Sequence, residues 1–181
     1  MGNTYENVTV CGLPPQTAVE ILKGRDTYVG PVVNGCLVVL IQPGDYDVAA
    51  ELSRKAPEPV LMAGVYDSDV FYFQIYWKGK KISDYDSWSN YGQDSGPPIP
   101  RGGNISQLCK SWYAKANCAS MMRKVLYPGD AKMGVFDGLE RHQKLIKLLG
   151  LPGYAYDLNY TDIKTNQLPG GMRLEQFTKT L

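Results

Sequence analysis

Across residues 5–11 the apolar positions, among them Tyr5, Val8 and Val10, follow the pattern of a strand. Pro14-Pro15 ends it. Ala18, Ile21 and Leu22 then fall at helical spacing over 16–23, before Gly24 stops the run. Two β-rich runs, 28–33 and 36–41, flank Asn34-Gly35, a pair suited to a hairpin turn whose two central residues need φ > 0. Val48, Ala49 and Leu52 form the apolar face of a helix over 45–55, bracketed at its exit by Pro57 and Pro59. A strand over 60–66 reverses at Asp67-Ser68-Asp69 into 70–77, which reverses again at Lys78-Gly79-Lys80 into 82–87.

These elements spell β-α-β-β-α-β, the ferredoxin-like order, extended by a β-meander. Gly92, Gly96, Pro97, Pro98, Pro100, Gly102 and Gly103 crowd the next stretch and predict a loop over 91–104. Helical periods then appear over 105–116, 119–126 and 135–149, the last ended by Gly150 and Pro152. A late strand is predicted over 154–163, with a tail or short helix beyond it. The expected fold class is α+β: a sheet region over 1–90, the Gly/Pro-rich loop over 91–104, and a mostly helical region over 105–181 packed on the sheet as one compact unit.

Composition narrows the class without naming a function. The chain has 181 residues, 44% hydrophobic and 20% charged, which suits a soluble globular domain and not a disordered chain. No apolar run reaches the ~18 residues a transmembrane helix needs. The first ten residues lack a basic region followed by an apolar one, so no secretory signal is expected, and Glu6 occupies the position where myristoylation requires Ser or Thr. A cytoplasmic location follows as the expectation. The four cysteines form no Cys-x-x-Cys pair, and Cys11 and Cys36 sit in apolar runs, so all are expected as reduced, structural thiols. The sequons at Asn7, Asn104 and Asn159 then read as chance matches.

The net charge of +1 conceals a partition. Residues 1–100 carry 7 Lys/Arg against 12 Asp/Glu, a net of −5, whereas residues 101–181 carry 12 against 6, a net of +6. Lys110, Lys115, Arg123, Lys124 and Lys132 belong to the basic half, which suits phosphates, an acidic partner, or the chain's own acidic sheet.

Candidate chemistry is sparse. His142 is the single histidine and lies on the apolar stripe of Val135, Leu139, Ile146 and Leu149, which predicts a histidine at the core edge bonded to a nearby carbonyl or acid. One His and scattered Cys offer no zinc-ligand spacing. Arg101-Gly102-Gly103-Asn104 precedes a helix but lacks the Gly-Lys-[Ser/Thr] of a phosphate loop, leaving Asn104 as an N-cap. No cofactor and no bound metal is expected. Val8-Thr9-Val10-Cys11-Gly12-Leu13-Pro14 is similar to the first-strand motif of RNA-recognition domains over seven residues. The aromatics that stack bases on the third strand of that family have no counterpart in Gly35-Cys36-Leu37-Val38-Val39.

The meander holds the strongest cluster. Asp84 and Asp86, two apart on a strand, share a face, and Asp67 and Asp69 occupy a turn, where Asp caps local amides. Phe71, Phe73, Ile75 and Trp77 occupy one parity of the central strand and should face the core. Tyr72, Gln74 and Tyr76 occupy the other, with Tyr66 and Tyr85 close by. Tyrosine offers broad contact area with a polar tip. The partner-binding residues expected are therefore Asp67, Asp69, Tyr72, Tyr76, Asp84, Tyr85 and Asp86. The functional expectation is a non-enzymatic protein-interaction module, an inhibitor or immunity-type binder of a basic protein. The alternatives are a metal-dependent hydrolase or nuclease using the four aspartates and, third, a nucleic-acid binder working through the basic half.

Overall fold

In the computed structural model, which describes residues 4–92, 97–110, 112, 118–128, 138–168 and 171–180, the alternating runs assemble into one antiparallel sheet. Its strands are β1 (Tyr5–Cys11), β2 (Tyr28–Val29), β3 (Cys36–Leu40), β4 (Val60–Tyr66), β5 (Val70–Trp77), β6 (Lys80–Asp86), β7 (Arg101–Gly102) and β8 (Thr178–Lys179). They lie in the order β7-β6-β5-β4-β1-β3-β2-β8. Helices α1 (Pro15–Ile21), α2 (Asp47–Ser53), α3 (Ile105–Lys110), α4 (Cys118–Leu126), α5 (Gly138–Leu149) and α6 (Tyr160–Lys164) complete a mixed α+β architecture. Both edge strands come from outside the predicted sheet region, β7 from within the predicted loop and β8 from the tail of the stretch predicted as mostly helical.

Both faces of the sheet are covered because its inner strands are apolar on both parities. Val8, Val10, Leu37, Val39 and Met62 pack with Leu22, Val48 and Leu52 beneath α1 and α2. The opposite parity, Val38, Leu61, Phe71, Phe73 and Ile75, packs with Leu108, Met122, Leu126, Leu145 and Ile163 from α3 to α6. Each fully buried Leu, Ile or Phe on these faces contributes roughly 1.5–3 kcal/mol relative to exposure.

Three two-residue turns hold the strands in register. Asn34-Gly35, Asp67-Ser68 and Lys78-Gly79 all carry φ > 0 at both central residues, the left-handed geometry that matches the twist of the flanking strands. The predicted strand over 28–33 is only two residues long, since Pro31 has no N–H to give to a ladder and Val33 keeps just a bridge to Cys36.

Two expectations are corrected. The predicted late strand over 154–163 is instead a 3-10 turn at Gly153–Ala155 followed by α6. The Asn159 side chain accepts from the Thr161 and Asp162 amides, while the Asp162 carboxylate accepts from the Asn159 amide, a reciprocal cap that favours helix over strand. Cys11 and Cys36, expected as free thiols, form a disulfide: β1 and β3 pair so that these residues sit directly opposite each other. Cys109 and Cys118 remain free.

His142 is buried in the core, where its Nδ1 lies 2.6 Å from the Tyr5 hydroxyl and its ring stacks on Tyr5 and Phe71. Burial pulls its pKa down to about 3, so it is neutral near pH 7.

Candidate interaction surface

The site residues divide among three places. Strand parity puts Tyr72 opposite Asp86 and Gln74 opposite Asp84, all four on the face that α1 and α2 cover elsewhere. Together with Ser89 and Arg101 they line an open hollow of about 530 Å³ at the β5–β7 end of the sheet. Asp86 also stands opposite Arg101 across the β6–β7 pairing, and its Oδ1 accepts from the Trp88 amide at 2.8 Å. Asp84 is exposed and forms an ion pair with Lys81 at 2.8 Å, a contact that solvent leaves worth little.

The second place is the β4–β5 turn, where Asp67 adopts φ +51° and its amide donates to Thr4 Oγ1. The Ser68 carbonyl of this turn accepts from the Gly138 amide at 2.7 Å, so the turn also satisfies the first N–H of α5. Beside it lies an exposed aromatic group. Tyr66 is 51% and Tyr91 is 41% exposed, with ring centroids 5.6 Å apart, and Trp88 meets Tyr91 edge-on at 5.1 Å. Partial burial and the nearby Asp67, Tyr66 and Asp69 raise the Tyr91 pKa. Trp88 and Tyr91 are not among the residues singled out from sequence; the readable signal was two aromatics three apart directly after an acidic strand.

The third place is the interior, which claims two of the expected tyrosines. Tyr85 lies between Asp84 and Asp86 and therefore points to the other face, where it is 2% exposed and donates to the Leu126 carbonyl at 2.6 Å. Burial pushes its hydroxyl up to about 12, against the pull of the Arg141 guanidinium. Tyr76 is 9% exposed within the α1/α2-side core and donates to Gln74 Oε1.

Tyr72 lies between these extremes. Its hydroxyl donates to the buried carboxylate of Glu6, which also accepts from the Gly44 amide at 3.3 Å. Burial and Glu6 drive the Tyr72 pKa far upward, so it stays protonated, and the ring edge is what remains for contact. Glu6 was not singled out from sequence, since one acid in an apolar strand carries no motif.

The Tyr72 ring lies over Gly64 of the neighbouring strand, where a β-carbon would collide with the ring end and come within 3.0 Å of Glu6 Cγ. Gly64→Ala is therefore expected to cost about 1–3 kcal/mol by overpacking. Urea denaturation should show this as a lower midpoint. Adding Tyr72→Ala should recover part of the loss, because the two substitutions share one contact; strictly additive effects would contradict the packing account.

Among the described residues, no three His, Cys, Asp or Glu side chains stand together so as to hold an ion. No helix among them is long and apolar enough to cross a membrane. Compared with protein-family models, curated proteins and solved structures, the chain has no match in any of the three.

Proposed function

We propose that the protein is a binding module for a basic protein partner, acting through the β5–β7 face and the aromatic group beside it. The observation that carries this reading is the open hollow where Tyr72, Gln74, Asp84 and Asp86 stand side by side at the end of the sheet. Exposed Tyr66 and Tyr91 with Trp88 provide a rigid aromatic contact of the kind enriched in interface cores, and the carboxylates provide a charged surround that selects a cationic partner. An inhibitor or immunity-type role suits such a surface, since these roles need a rigid face and no chemistry of their own.

The order β4-β1-β3-β2 at the centre of the sheet, with α1 following β1 and α2 following β3, supports a ferredoxin-like reading of the first six elements. In that reading the binding face belongs to the added meander. The Cys11–Cys36 disulfide supports an oxidising working environment.

The test is affinity capture with wild-type protein, with Asp84→Lys/Asp86→Lys, and with Lys23→Glu, in the turn after α1, as a control. A genuine partner should be retained by wild type and control, and bind the double variant at least about tenfold more weakly, about 1.4 kcal/mol. Raising the salt should weaken it further. Captured partners that are indifferent to the double substitution would show that this face is not the interface.

A further inference from the structure

On the opposite side of the molecule, α4 and α5 lie against each other and enclose a groove of about 730 Å³, within the size range of small-molecule sites. Its composition is two-sided. Met121, Val125 and Leu148 give it an apolar floor, with Met121 50% exposed. Lys124 from α4 and Lys144 and Lys147 from α5 surround that floor. Lys144 and Lys147 are three apart and so project from neighbouring positions on α5. Glu140 holds Lys144 at 2.6 Å.

The base of the groove is rigid for a reason unrelated to any ligand. Arg141 is 2% exposed, and its Nη1 donates to the Tyr85 hydroxyl and to the Val125 and Leu126 carbonyls. It thereby ties the C-terminal end of α4 to α5 and to the sheet. Two walls fixed in this way present a preformed slot. The nine residues of α4 make that wall about 13 Å long.

We infer that this groove is a binding site for an amphipathic anion, a single alkyl chain ending in a carboxylate. The alkyl chain lies along Met121, Val125 and Leu148, and the carboxylate meets the ammonium groups of Lys124 and Lys147. Neither half of the site suffices alone: an apolar floor without the lysines would take any uncharged chain, and lysines without the floor would be an ordinary solvated helix surface. Their coincidence in one slot selects both features in one molecule. This site does not depend on the acidic sheet face, which lies on the other side of the sheet.

The experiment is calorimetric titration of the full chain with decanoate, decanol and acetate. Decanoate should bind with one-to-one stoichiometry, decanol at least about tenfold more weakly, and acetate without detectable heat. Lys124→Glu/Lys147→Glu changes exposed residues only, so it should fold as the parent by circular dichroism and weaken decanoate at least about tenfold. Met121→Asp should do the same from the apolar side, and Lys147→Arg should retain binding. Equal affinity for decanol, retention of decanoate by the charge-reversed variant, or detergent-like uptake of many molecules would each overturn the proposal. So would binding to phosphatidylglycerol vesicles or to an acidic amphipathic peptide without binding of monomeric decanoate.

Discussion

Acidifying the protein from pH 6.5 toward pH 3 is expected to remove on the order of 4 kcal/mol of stability through His142 alone. The unfolded chain takes up a proton on this imidazole below about 6.5, whereas the folded protein, which buries it completely, refuses the proton until about pH 3. Between those values the unfolded state binds more protons, so stability rises with pH across the window and is fully present above it. The refusal has a structural cause: the ring is sandwiched between Tyr5 and Phe71, and its Nδ1 faces a neutral hydroxyl, not a carboxylate that would favour the cation. Carboxylates also titrate in this range, so the measurement is a comparison. Urea unfolding should be followed at several pH values for the parent and for Tyr5→Phe/His142→Phe, which replaces both polar partners by rings. The double variant should show a markedly shallower fall between pH 6.5 and pH 3. Parallel curves would mean that His142 is not the acid-sensitive group.

Reduction of the Cys11–Cys36 disulfide is the second large effect. The bridge closes a segment with a sequence separation of 25 residues, and removing a cross-link of that span frees the unfolded chain by about 3.5 kcal/mol. Both cysteines are 1% exposed, so a reductant reaches them only slowly while the fold is intact. Unfolding in urea with and without dithiothreitol should separate the two midpoints, and Cys11→Ala/Cys36→Ala should resemble the reduced protein with a further loss from the space left behind. Alkylation without reductant should find Cys109 and Cys118 alone as thiols, with Cys118 slow because burial pushes its pKa up to about 12. Identical midpoints in both redox states would contradict the assignment.

In β5 the split between Phe71, Phe73, Ile75 and Tyr72, Gln74, Tyr76 is the split between the two faces, whereas β3 and β4 were legible as short apolar runs because both of their faces are buried. Asn34-Gly35 was legible as a turn because it is the residue pair that left-handed geometry favours. Asp67-Ser68 adopts the same geometry with neither residue a glycine, its cost offset by the pairing on either side. The misread stretch around 154–163 has alternating bulky residues, and the informative feature was Asn159 three positions before Asp162. The disulfide was not legible from spacing, because two cysteines 25 apart meet only once β1 and β3 are in register.

The candidate surface was legible in part, and the reason is again geometric. Asp84 and Asp86 share a face because they are two apart, and the same rule sends Tyr85 inward. Composition made Tyr85 look like a surface residue; parity alone identifies it as a core residue. Glu6, Trp88 and Tyr91 belong to the region through contacts made in three dimensions, which no local pattern encodes.

The position of β8 has a consequence for synthesis. Strand β1 lies in the middle of the sheet and can find β3 and β4 as soon as residue 66 has been made. Strand β2, by contrast, waits for Thr178–Lys179, with Thr180 anchored behind them through Thr27 and the Arg25 carbonyl. Until those residues have been made the nascent chain therefore carries an unpaired edge at β2, open to pairing with other chains on the same message. The shortness of that strand, ended at once by Gly30 and Pro31, keeps this exposed template to two residues.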